Sequence, residues 1–152
     1  MSTLMMHAPE GATTDETIRS QVYGLLGIRP HHGPGNERRT DCRYPYPKLV
    51  HLTPVGVDGC TPEGEPVVAT GKHLSERGLG FFHQGPLPYR RMIVSLETDE
   101  GGWVGFLIDL TWCRFTKHGW YESGGRLMQV VDSPLSALRP SPAPRMACGT
   151  AV

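Results

Sequence analysis

Arg38, Arg39 and Arg43 crowd the stretch at 36–43, and a polar turn, His73-Leu74-Ser75-Glu76-Arg77-Gly78, follows about thirty residues later. Each arginine presents a rigid fork of donors that can bond bidentately to a phosphate or to O6 and N7 of guanine, and its plane can stack on a base. The serine hydroxyl and tight glycine turn of the second stretch suit close approach of backbone to an anion. Together these residue types fit a small anionic, guanine-bearing ligand. Isolated arginines would ordinarily be a solvated stretch making weak surface ion pairs with Glu37 and Asp41. The downstream turn tips the reading toward a site, provided the two stretches meet in space.

The positioning elements follow from the periodicity. The chain of 152 residues, 38% hydrophobic, suits one modest domain with a single core. Nineteen glycines and fourteen prolines imply many turns and few long helices. One helix is predicted over 13–26: Thr13 and Glu16 stand at capping-box spacing, Ile18, Val22, Leu25 and Leu26 form a stripe, and Gly27 ends it. That stripe must cover a barrel or a partner surface. From Lys48 onward the pattern turns to strands, predicted over 49–57, 65–73, 79–83, 90–97, 103–117 and 120–131, with turn signals between them. Val104, Phe106, Ile108, Leu110 and Trp112 are expected on one face of the fifth, which makes Phe106 and Trp112 core; Trp103, Trp120 and Tyr121 read as half-exposed strand aromatics, packed sooner than stacked on a base. Six strands with no helix between them predict an all-β antiparallel sheet closed into a barrel or sandwich. The domain reading is a disordered 1–12, helix and linker over 13–35, a barrel over 36–131, and a Pro-rich disordered tail over 132–152.

Zero formal net charge disfavours a polyanion binder, DNA or RNA, and the acidic residues Glu97, Asp99, Glu100 and Asp109 count further against one. The start shows no secretory pattern and no apolar run is long enough to span a bilayer, so the expectation is a cytoplasmic chain without membrane insertion. Four scattered cysteines without a CxxC pair fit a reduced compartment, and the adjacent His31 and His32 lack companions at zinc-like spacing, so no metal is expected. No nucleophile elbow, phosphate loop or dinucleotide fingerprint is present, which leaves a non-catalytic protein.

The two stretches together, RxxxR at Arg39 to Arg43 and xxSxxG at His73 to Gly78, resemble the PilZ domain family, whose signature is RxxxR followed by (D/N)xSxxG. The Gly-Leu-Gly-Phe strand after the second motif and Gly124-Gly125-Arg126 near the end extend the resemblance over about 36–131. It implies a six-stranded antiparallel barrel that binds the bacterial second messenger cyclic di-GMP, with no other cofactor, and hands the signal to a downstream protein. Arg39 and Arg43 would meet guanine edges and phosphates, Arg38 would be accessory, Ser75 would meet a phosphate or base edge, and Gly78 would keep the turn tight. One position departs from the family: His73 stands where Asp or Asn is usual. A neutral imidazole offers one acceptor to guanine N–H groups, and a protonated one repels them. The competing reading is a PilZ-like interaction domain that has lost the nucleotide.

Overall fold

The computed structural model describes residues 14–28 and 42–138. Helix α1 (Thr14–Leu26) is followed by strands β1 (Tyr44–Pro45), β2 (Leu49–Pro54), β3 (Val67–Leu74), β4 (Gly78–His83), β5 (Arg91–Glu97), β6 (Trp103–Phe115) and β7 (Tyr121–Val131), then a single helical turn α2 (Pro134–Leu138). The strands pair antiparallel in the order β3-β2-β5-β6-β7-β4, and β4 pairs back onto β3. That last pairing closes six strands into a barrel, which removes the sheet edges an open sheet would expose. The two-residue β1 was not expected from the sequence. It lies against β3 beyond the end of β2, with Tyr44 opposite Leu74 and Pro45 opposite His73, so the chain entering the barrel runs directly beside the His73–Gly78 turn.

Inward positions of the strands supply one core that includes Val50, Leu52, Leu74, Leu79, Phe81, Met92, Val94, Leu96, Phe106 and Ile108, each at most 1% exposed. The stripe of α1 joins that same core: Ile18, Val22 and Leu25 are buried against the barrel, largely on β7. Each such side chain stabilises the docked helix by roughly 1.5–3 kcal/mol relative to exposure, so the helix belongs to the barrel rather than to a partner. Gly27 ends it with a left-handed φ of 70° and donates its N–H to the Tyr23 carbonyl. A second tie is polar: Glu76, in the β3–β4 turn, accepts from the Tyr23 hydroxyl at 2.6 Å and from Arg19 Nε at 3.2 Å.

Three departures from the sequence reading have physical causes. Trp112 leaves the core face because β6 bulges between Leu110 and Trp112, where the extra residue Thr111 flips the alternation; Trp112 is 42% exposed on the outside of the barrel. On β5 the alternation sets Met92, Val94 and Leu96 on one face and Arg91, Ser95 and Glu97 on the other, with Ile93 the exception, yet Ser95 is buried too: Ser133, on the chain leaving β7, bonds it Oγ to Oγ at 2.7 Å. Ser133 also caps α2 by accepting the Leu135 N–H, so the start of the predicted disordered tail is an ordered turn docked on the barrel. Residues 1–13, 29–41 and 139–152, which hold the rest of the tail, the leader and the linker, lie outside the described residues.

Candidate ligand-binding trough

The outer face of β3, β4, β7 and β6 carries an uncommon row. Direct cross-strand partners run His73–Gly80–Gly124–Trp112, from β3 to β6. The two middle positions are glycine, and both lie under an aromatic ring. A Cβ on Gly80 would stand 2.7 Å from the His73 imidazole, and one on Gly124 would stand 2.5 Å from the Trp112 indole. The glycines therefore form a floor, and the two rings fold down onto it from either side. A glycine inside a strand marks such a close approach, since it contributes no side chain to sheet packing.

One residue further along, the floor gives way to a cavity of about 280 Å³ whose lining includes Arg43, His73, Ser75, Gly78, Trp112 and Arg126. Arg77 and Thr111 also border it. Arg43 arrives on the segment leading into β1, Arg77 on the β3–β4 turn, and Arg126 from β7, where it pairs with Gly78. Among the described residues none of these three arginines forms an ion pair or a side-chain hydrogen bond, although the barrel's other cations are largely neutralised: Arg90 and Arg91 share Asp109, and Lys72 and Arg114 share Glu122. Three guanidiniums facing one cavity without a carboxylate make a site for an anion.

Ser75 and Gly78 act first on the backbone. Ser75 is 3% exposed, and its Oγ accepts from the Arg77 N–H at 3.2 Å and the Gly78 N–H at 3.0 Å, while its own N–H donates to the Gly78 carbonyl. The hydroxyl thus holds the turn that presents Arg77. A Cβ on Gly78 would stand 2.8 Å from the Gly125 carbonyl, so a side chain there would push β4 off β7. His73 is half-buried, with Nδ1 buried and unpartnered among the described residues. Burial, then the nearby Arg43 and Lys72 charges, hold its pKa below the usual histidine value, which favours the neutral ring; Glu122 opposes this weakly.

Of the residues expected from sequence, Arg43, His73, Ser75 and Gly78 converge on this one cavity. Arg38 and Arg39 lie outside the described residues. Sequence reasoning named Arg77 and Arg126 within their motifs without giving either a ligand role, and it set Trp112 in the core. Arg126 was signalled by the Gly124-Gly125 pair before it, and Trp112 was hidden by the bulge. No group of three or more His, Cys, Asp or Glu side chains at metal-binding distance exists among the described residues, and none of their helices is long and apolar enough to cross a membrane.

The fold and trough define a class, a closed six-stranded antiparallel barrel with a cationic, glycine-floored outer face. No family model matches the chain, and no curated protein does. Among solved structures it is similar to MrkH of K. pneumonia in its apo state, at 15% identity and a TM-score of 0.47, over 90% of this chain and 48% of that one. The chain thus spans about half the length of that protein.

Proposed function

We propose that the chain is a non-catalytic receptor for cyclic di-GMP of the PilZ type. The observation that carries the reading is the meeting of Arg43 with the His73–Gly78 turn at one cavity, where Arg77 and Arg126 join it without an ion-pair partner among the described residues. The cavity lies just under the ~300–1,000 Å³ of ordinary small-ligand pockets. A cyclic dinucleotide would therefore seat one guanine and its phosphates there and leave the rest standing out. Arg38 and Arg39, assigned from the motif alone, are the proposed contacts for that outer part.

In this reading Arg43 and Arg126 take phosphate oxygens or the guanine O6/N7 edge, and the exposed indole face of Trp112 is open to a stacked base. Neutral His73 offers an acceptor to a guanine N–H. The exit of the signal is Glu76, which lies between the Ser75 and Gly78 of the site and accepts from Tyr23 and Arg19 of α1. A ligand that shifts the turn shifts those two bonds, and with them the helix that a downstream protein could read.

Calorimetric titration with cyclic di-GMP, with GMP as comparator, tests the proposal. Saturable binding at micromolar or tighter affinity, lost in Arg43→Ala, is expected. No heat at millimolar ligand would leave the barrel as an interaction domain without the nucleotide.

A further inference from the structure

On the other side of the glycine floor, away from the trough's arginines, the outer face opens into a second and larger cavity of about 830 Å³. Its base is the next row of cross-strand partners, Thr70–Phe82–Glu122–Arg114, running from β3 to β6. Its far wall is the turn joining β6 to β7, from which Lys117 and Trp120 line it. That turn is fixed by its own backbone. The Thr116 N–H donates to Trp120 O at 2.7 Å, the His118 N–H to Thr116 Oγ1 at 3.3 Å, and Gly119 supplies a left-handed φ of 85°. The wall therefore stands without a ligand, as the walls of small-molecule sites ordinarily do.

The lining combines rings with one spare cation. Phe82 and Trp120 are half-buried, yet they belong neither to the core nor to the apolar side chains packed on it, so their ring surface serves the cavity rather than the barrel. Glu122, at the base, is already held by Lys72 at 2.6 Å and Arg114 at 2.9 Å. Lys117 is exposed and forms no ion pair among the described residues. With Lys72, Arg114 and Lys117 set against Glu122 alone, the local field turns away a cation and favours an anion. The volume falls within the ~300–1,000 Å³ usual for small-molecule pockets, which are mostly apolar with a few placed polar groups.

We propose that this cavity is a second binding site, for a small planar apolar molecule carrying one anionic group. Its rings lie against Phe82 and Trp120, and its carboxylate or sulfonate meets Lys117. The paired charges of Glu122, Lys72 and Arg114 form a fixed base and are not spent on the ligand. The row His73–Gly80–Gly124–Trp112 separates this site from the arginines, so it is independent of whether the trough takes a nucleotide.

Two fluorescent probes test it on the full chain. Anilinonaphthalene sulfonate has the proposed chemistry, and phenylnaphthylamine carries the same rings without the sulfonate. The sulfonate probe should saturate at one site per chain and bind about tenfold tighter than the neutral one, the worth of one charge-assisted contact. Lys117→Glu should erase that preference while leaving the neutral probe's affinity and the melting temperature unchanged. Trp120→Ala should weaken both probes, and Arg126→Ala, in the trough, should weaken neither. Equal affinity for the two probes, no saturation up to about 1 mM, or sulfonate binding lost in Arg126→Ala but kept in Lys117→Glu would overturn the proposal. So would a dimer in sedimentation velocity that excludes both probes, which would give the surface to a second copy of the chain.

Discussion

Strands β4 and β7 present two unlike surfaces to the two sides of the barrel wall. Inward they set Leu79, Phe81, Ser123, Gly125 and Leu127 into the core; outward they set Gly78, Gly80, Glu122, Gly124 and Arg126. Both sides contain glycine, but for different reasons. A Cβ on Gly125 would stand 2.2 Å from the Asp109 carbonyl, a piece of backbone in the adjoining strand. A Cβ on Gly124 would stand 2.5–2.7 Å from Cζ2, Cε2 and Nε1 of the Trp112 indole, a side chain that can swing away. The inner glycine lets the sheet close, and the outer one makes room for a ring. Within the outer face there is a second contrast. Glu122, 4% exposed at its side chain, holds Lys72 at 2.6 Å and Arg114 at 2.9 Å, and those cations hold its pKa below the usual glutamate value against the opposing effect of burial. One row away, Arg43, Arg77 and Arg126 form no ion pair among the described residues. Balanced charge marks a structural patch, and unbalanced charge facing a cavity marks a place for a ligand.

The largest effect should come from the inner side. Gly125→Ala forces backbone apart and should destabilise the fold by about 3 kcal/mol, the upper range for overpacking where nothing flexible can give; Gly124→Ala should leave the melting temperature within a degree or two. Thermal denaturation of the pair reads this directly, and equal losses would erase the distinction between the two faces. Next, Arg126→Ala should weaken cyclic di-GMP binding by about 1–3 kcal/mol with an unchanged melting temperature, because no side-chain partner among the described residues is left unpaired. A stability loss matching the affinity loss would make Arg126 structural.

A smaller effect concerns pH. The folded pKa of His73 is depressed, so the folded chain binds fewer protons than the unfolded one, and the histidine's contribution to stability is present above the unfolded value near 6.5 and fades as pH falls from there through the folded pKa. Binding should follow the same ring: affinity weakens as pH falls through the depressed value, below 6.5, and His73→Asn removes that dependence while restoring an amide acceptor. Titrations at several pH values check it, and an identical slope in His73→Asn would assign the dependence elsewhere. Glu122 should give the smallest signal. Its depressed pKa makes its contribution present above about 4.5 and lost in acid, so the stability gap between the parent and Glu122→Gln should close as pH drops below that value in denaturant melts.

Much of this was legible in the sequence. The turn signals and alternation located all six barrel strands, and the i, i+4, i+7 stripe of Ile18, Val22 and Leu25 located the helix. The motif pair named Arg43, Ser75 and Gly78, and these three line one cavity in the fold. What escaped was tertiary. A bulge costs one residue and leaves no compositional mark, so Trp112 was read on the wrong face. Arg77 and Arg126 are ordinary surface arginines until β4 pairs with β7 and brings Gly78 opposite Arg126. The burial of Ser95 depended on Ser133, beyond β7, returning to bond it.

The trough itself can be tested without a mutation. Glycine amides are readily resolved in nitrogen–proton correlation spectra, and the floor of the site contributes Gly78, Gly80 and Gly124. Titration with cyclic di-GMP should shift these three and Arg126 saturably, with one common dissociation constant, and leave Gly119 of the distant β6–β7 turn in place. Saturable shifts confined to other parts of the barrel, or no shifts at millimolar ligand, would contradict the account.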